Sequence, residues 1–327
     1  MISVERLSKR YGSIRAVEDL SFEARPGEVL GFLGPNGAGK STTMRILTGF
    51  LSPTSGRATV CGHDVVEDSI AVRRRTGYLP EHTPVYTDMT VAEFLRFVAE
   101  ARGVPWRQRK AAVGQAMDDC GLSHVTGRLI GHLSKGYRQR TCFAQALVHR
   151  PDVLILDEPT SGLDPNQIVE IRDLVCDLAR QRTIVWSTHI LSEVEALCER
   201  VLIVSEGRAV ALGAPDALRS SLPGARALSI TLHTETDSAT VTSKLESLAG
   251  VDSALPSPEK PGDYTIHPAA DADPRDAIVE LAASVGWKLR ALTPLEPSLE
   301  DVFRHVTGTA VNATDAEALS SSIQGAR

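Results

Sequence analysis

No run of about 18 apolar residues occurs in this 327-residue sequence, which argues against a membrane-spanning helix. Its densest apolar patches, residues 153–156 and 201–204, are only as long as strands. The first eleven residues turn polar and charged from Glu5 onward and do not read as a secretory leader. Cysteine is scarce and scattered. Cys61, Cys120, Cys142, Cys176 and Cys198 are odd in number and lack any C-x-x-C spacing, so neither a disulfide framework nor a metal or redox centre is expected. They read as small buried thiols in a reducing compartment. A large positive excess is also missing, since the net charge is −6, and no nucleic-acid partner is expected.

What remains is an ordinary globular mix, 42% hydrophobic and 23% charged, long enough for two domains. The charge is unevenly placed. Residues 221–327 carry 8 basic and 15 acidic side chains, against 27 and 26 in the rest, which marks the last third as a separate unit.

Along residues 1–220, short apolar runs at 28–33, 153–156, 183–187 and 201–205 alternate with helical patterns at 40–47, 165–179 and 191–198. Runs apolar throughout suit strands of a parallel sheet covered on both faces, so the class is α/β. Residues 89–149 read instead as an inserted, mostly helical subdomain, opened by Thr90 and Glu93 at capping-box spacing. Residues 213–224, rich in Pro, Gly, Ser and Asp, are the expected linker. Beyond them, residues 225–308 follow the order β-α-β-β-α-β of a small ferredoxin-like α+β accessory domain. The Ala-, Ser- and Thr-rich tail 309–327 is expected to be disordered.

The strongest chemical signal is Gly34-Pro35-Asn36-Gly37-Ala38-Gly39-Lys40-Ser41, followed by Thr42, between an apolar strand and a helix. Glycines let backbone amides converge on phosphate oxygens, and the following helix aims its N-terminal dipole at the same anion. Lys40 would reach the β- and γ-phosphates of ATP, and the Ser41 hydroxyl would bind Mg²⁺. A Gly-rich turn with an incidental lysine is the plainer alternative, disfavoured by both flanks. The apolar run 153–156 ends in Asp157-Glu158, placing carboxylates at the sheet's carboxyl edge. Asp157 suits Mg²⁺ through water, and Glu158 suits the general base that polarises an attacking water. Together these elements describe a P-loop NTPase.

Leu133-Ser134-Lys135-Gly136-Tyr137, a short way before the acidic strand, resembles the signature sequence of ATP-binding cassette (ABC) ATPases, usually L-S-G-G-Q. Read alone, it is only a helix N-cap. The order of further matches extends the resemblance: Ser161-Gly162-Leu163-Asp164 is similar to the D-loop, and His189 falls at the switch-histidine position, toward the γ-phosphate. Tyr11 falls where an aromatic stacks on adenine, with a core aromatic as the alternative. Glu81, in Gly77-Tyr78-Leu79-Pro80-Glu81, replaces the family's usual glutamine as an oxygen ligand near Mg²⁺, and Tyr137 replaces that of the signature.

The resemblance implies a site split between two subunits, with the P-loop of one facing Ser134, Lys135 and Gly136 of the other. It therefore implies a second ABC ATPase subunit, most simply a homodimer. Residues 1–220 resemble the ATPase subunits of ABC-2-type transporters, closest to the gliding-motility-type branch, through Ser134–Arg140 and Asp164-Pro165-Asn166-Gln167-Ile168. Leu295-Glu296-Pro297-Ser298-Leu299-Glu300-Asp301-Val302-Phe303 resembles that group's accessory-domain ending. The implied protein is a peripheral subunit at the cytoplasmic membrane face. It would power separate integral membrane permease subunits, docked on the surface of residues 81–102. A non-transport ABC ATPase, serving surface-machine assembly, translation or DNA, is the alternative.

Overall fold

The computed structural model describes residues 1–82, 85–222, 227–258, 260–269, 272–295 and 297–308. The chain divides into two compact units, Met1–Pro215 and Asp216–Arg327.

The first unit begins with strands β1 (Ile2–Tyr11), β2 (Ile14–Ala24) and β3 (Val29–Leu33), then helix α1 (Lys40–Leu47). There follow β4 (Ser55–Val60), β5 (His63–Asp64), α2 (Ser69–Arg75), β6 (Thr76–Leu79), α3 (Val91–Ala101), α4 (Trp106–Asp119) and α5 (Lys135–Leu147). It closes with β7 (Val153–Asp157), α6 (Pro165–Ala179), β8 (Thr183–Thr188), α7 (Leu191–Leu197), β9 (Arg200–Ser205) and β10 (Arg208–Gly213).

Two sheets make this unit. The six-stranded sheet has the order β10-β9-β3-β8-β7-β6, with β9, β3, β8, β7 and β6 parallel and β10 an antiparallel edge. Every residue of β3, β7 and β8 is buried, as expected for strands with both faces covered. Each fully buried Leu, Ile or Val there contributes about 1.5–3 kcal/mol relative to exposure. Leu33 of β3 pairs with Thr188 of β8, and Ser187 of β8 with Asp157 of β7. Three segments thus reach one edge of the sheet side by side.

The second sheet, β2-β1-β4-β5, is antiparallel and was not expected from the apolar pattern. The reason is local: β1 shifts register against β2 after Val4, Leu7 and Lys9, and Arg6 and Asp19 adopt positive φ, so inward and outward residues do not alternate evenly. Its inward side chains Ile2, Val4, Leu7, Leu20 and Phe22 join the same core as Phe32, Met44 and Val185.

The helical stretch between β6 and β7 follows the sequence closely. Thr90 caps α3 by accepting from the Glu93 amide while the Glu93 carboxylate accepts from the Thr90 amide, the full capping box. Asp164 caps α6 by accepting from the Gln167 amide at 3.0 Å, with Pro165 as the first helical residue. The two units divide at Pro215/Asp216, within the expected linker, and that stretch also holds a short helix, α8 (Pro215–Ser220). Proline suits a first helical turn, and Asp216 pairs with Arg219 one turn on. The thiols also depart in part from expectation: Cys120, Cys142 and Cys198 are buried, Cys61 is partly buried, and Cys176 is exposed on α6.

Considered alone, the second unit contains β11 (Leu228–His233), α9 (Ser238–Glu246), β12 (Val251–Pro256), β13 (Asp263–Pro268), α10 (Arg275–Ser284), β14 (Lys288–Pro294) and α11 (Leu299–Thr307). Its antiparallel sheet runs β12-β13-β11-β14, which together with the element order is the ferredoxin-like βαββαβ arrangement. Ile230, Ile266, Val241, Leu245 and Ile278 form its own core. The expectation for residues 309–327 falls outside the described residues. Among those described, no helix is long and apolar enough to cross a membrane.

Candidate functional site

The turn from β3 into α1 depends on two glycines. Gly39 sits at φ +97, and a Cβ there would lie 2.3 Å from the Ala16 carbonyl oxygen. At Gly34 a Cβ would meet the Val204 carbonyl oxygen at 2.4 Å. Any side chain at either position would push the loop off the strand. Gly39 is also the N-cap of α1 and offers no side-chain cap, so the first-turn amides are left for another acceptor. That is the arrangement an anion needs.

Lys40, only 6% exposed, folds back under the loop. Its ammonium donates to the Gly34 carbonyl at 2.7 Å and the Pro35 carbonyl at 3.3 Å, and lies 3.4 Å from Glu158 Oε1. Glu158 follows β7 directly, in the left-handed region at φ +48, with its amide donating to the Ser187 carbonyl at 2.9 Å. Its other carboxylate oxygen lies 2.8 Å from His189 Nδ1, just past the end of β8. Glu158 therefore joins the P-loop lysine to the histidine.

A cavity of about 440 Å³ opens over these groups. Pro35, Asn36, Gly37, Gly39, Lys40, Ser41, Thr42, Glu81, Glu158 and His189 line it, together with Ala16 and Ser161. Ala16 was not anticipated: it comes from β2, and an alanine in a strand carries no signal in sequence. Asp157 is 2% exposed, and its Oδ1 has no hydrogen-bond partner. Burial pushes its carboxyl above the usual range; the Ser41 hydroxyl and the Lys40 charge pull it back, and Glu81 adds to the rise. An orphaned buried carboxylate oxygen near a serine hydroxyl, with a further carboxylate among the lining side chains, is a donor set that fits a divalent cation.

The remaining predicted residues lie elsewhere. Ala38 is buried within the loop. Tyr11 ends β1, is 46% exposed, and has the Lys9 ammonium 5.4 Å from its ring centroid; it does not line the cavity. Ser134 caps α5 and accepts from the Tyr137 amide, and with Gly136 it lines a second concavity of about 190 Å³ shared with Leu163 and Gln167. Lys135 reaches toward Gly162, and Asp164 caps α6. Two links were not visible in sequence. Gln139 donates to the Pro159 carbonyl at 2.6 Å, tying α5 to the turn after Glu158. Tyr137 OH lies 3.0 Å from His124 Nε2.

Comparison with known proteins gives a family and a fold. The family model described as ABC transporter matches residues 17–161. The bacitracin transport ATP-binding protein BcrA of Bacillus licheniformis is 41% identical over 210 residues, spanning 64% of this chain and 68% of that protein. The Nod factor export ATP-binding protein I of Paraburkholderia xenovorans is 38% identical over 234 residues, 70% of this chain and 76% of that protein. Among solved structures, an ATP-binding subunit of an ABC transporter superposes with TM-score 0.61 at 30% identity over 67% of this chain and 92% of that one. A dimeric bacterial ABC transporter cassette shares the fold, with TM-score 0.60 at 22% identity over 65% of this chain and 98% of that one.

Proposed function

This chain belongs to the family of ABC transporter ATP-binding subunits, and on that footing we propose that it hydrolyses ATP between two such subunits to drive an ABC-2-type transporter. The closest branch by motif is the gliding-motility type. The observation that carries the reading is a division within one chain. Lys40, Glu158 and His189 share one cavity, whereas Ser134 and Gly136 line another. Two copies related by a two-fold axis would bring each P-loop against the partner's Ser134–Gly136 segment and complete two sites.

Within such a site the α1 amides and Lys40 bind the ATP phosphates, the triphosphate taking the place of the Gly34 and Pro35 carbonyls as acceptor for the Lys40 ammonium. Ser41 and Asp157, with Glu81, would hold Mg²⁺, which when bound neutralises phosphate charge. Glu158 accepts a proton from the attacking water as the water oxygen bonds to the γ-phosphorus. The bond from that phosphorus to the bridging oxygen breaks, leaving ADP and inorganic phosphate. His189, held by Glu158, faces the γ-phosphate and orients the water. Tyr11 would stack on adenine. The added charge of separated products reopens the dimer, and the motion passes to separate integral membrane permease subunits docked on residues 81–102. The place of work is the cytoplasmic face of the membrane, and residues 225–308 serve as an accessory domain.

The test is capture of tagged Glu158→Gln protein from solubilised membranes of the native host, with and without ATP. ATP-dependent enrichment of an integral membrane protein supports the reading. Ribosomal proteins, DNA-bound complexes or no membrane partner would replace transport with a soluble role.

A further inference from the structure

One buried carboxylate in the first unit has no place in the chemistry described so far. Glu193, in the first turn of α7, is 1% exposed, and among the described residues no Lys, Arg or His pairs with it. Its acceptors are filled by three neutral donors. Oε1 takes the Thr160 hydroxyl at 2.5 Å; Oε2 takes the Thr188 hydroxyl at 2.9 Å and, more weakly, the Trp186 indole N–H at 3.4 Å. A carboxylate taken out of water without a cation is costly, and an apolar side chain would fill the space at less expense. Neighbouring Val194, wholly buried, already supplies apolar packing for α7. Packing therefore does not explain Glu193.

Its partners do. Thr160 lies two residues after Glu158, and Thr188 is the residue before His189. The Thr188 oxygen also accepts from the Ile190 amide at 3.0 Å, so once its proton is committed to Glu193 the backbone is fixed on both sides of His189. Glu158 stands at a strained φ of +48, a conformation that persists only where its surroundings hold it. In front, Glu158 and His189 meet at 2.8 Å; behind, the segments that carry them are both fastened to one carboxylate. We propose that Glu193 is a positioning residue for hydrolysis, setting the distance and aim of the Glu158–His189 pair without touching the nucleotide. This rests on the ATPase reading above and deepens it.

The full-length protein gives the test. Wild-type ATP turnover is scored first; its absence would remove the ATPase reading itself and this inference with it. Given turnover, Glu193→Leu is expected to lower kcat by about tenfold or more, because it strands two buried hydroxyls, while KM for ATP stays within about twofold. Glu193→Gln, which keeps one carbonyl acceptor, is expected to recover part of the loss. Thr160→Val and Thr188→Val each delete one donor at nearly constant shape and carry the test if Glu193→Leu does not fold. Val194→Ala is the control for loosening α7 alone. A second readout needs no nucleotide: the imidazole nitrogen resonances of His189, assigned by their loss in His189→Ala. They are expected to move in Glu193→Leu and Thr188→Val and to stay in Val194→Ala. Equal kcat loss in Val194→Ala at matched Tm, or unmoved His189 resonances in the Glu193 and Thr188 variants, would overturn the proposal.

Discussion

Glu158 Oε2 and His189 Nδ1 lie 2.8 Å apart although 31 residues separate them in sequence. A neutral imidazole meeting a carboxylate at this nitrogen carries its proton there, which leaves Nε2 as an acceptor or, once protonated, a second donor. Position and tautomer of the histidine are thus both set by the acid beside it. Glu158→Gln keeps the shape and loses the base, so kcat is expected to fall by about 10² or more with ATP binding retained. Steady-state hydrolysis and ATP-dependent dimer formation by size exclusion check this together. Full turnover in the variant would assign the base elsewhere.

Asp157 is expected to show the opposite balance between stability and function. Burial raises its carboxyl above the value in the unfolded chain, so the folded state holds its proton longer. The sign follows: its contribution is fully present below the unfolded-state value, is lost as pH rises through the raised folded-state value, and is a penalty wherever the folded carboxyl is ionised. Asp157→Asn, which resembles the protonated form, should raise the Tm of nucleotide-free protein at pH 7 while abolishing Mg²⁺-dependent turnover. Differential scanning calorimetry with and without Mg²⁺ and ATP separates the two effects.

His149 supplies a pH dependence away from the catalytic groups. Burial, then the Arg102 charge, drives its imidazole down to about 4, against an opposing hydrogen bond to the Thr76 carbonyl. The unfolded chain therefore takes up a proton first as pH falls from about 6.5, and stability drops by up to about 1.4 kcal/mol per pH unit until about 4. Above 6.5 the contribution is constant. In His149→Gln, denaturant titrations across this window should give a flatter curve.

Gly39→Ala tests the loop. The positive φ costs about 1–3 kcal/mol for a residue with a side chain, and the added methyl collides with the Ala16 carbonyl oxygen. Relieving the collision moves the α1 amides off their common target. Nucleotide affinity is expected to fall by more than about tenfold, with a lowered Tm. Titration with a fluorescent ATP analogue and thermal unfolding measure the two losses.

Legibility in the sequence followed the range of the interaction concerned. The strands β3, β7 and β8 were readable because burial on both faces leaves an unbroken apolar run. The P-loop was readable because its glycines, Lys40 and Ser41 must stand at fixed spacing to do their work. Strands β1 and β2 were not, since their bulges break the alternation that marks a one-sided strand. α8 was hidden by Pro and Asp, residues that serve a first helical turn as well as a linker. Glu193 looked like any acid in a short helix; its meaning lies in Thr160, 33 residues earlier, and in a burial no local pattern announces.

The register between β7 and β8, with Asp157 opposite Ser187, has a consequence for how the chain finds its fold. Strands that are apolar on both faces carry no inside or outside to betray a misaligned pairing. Here the polar residues at their ends supply the missing mark, because a slip of one position would carry the buried Asp157 away from Ser187 and the Ser41 hydroxyl, which its carboxyl meets in the native register. The residues proposed to serve the nucleotide would thus also mark the alignment of the strands that bear them.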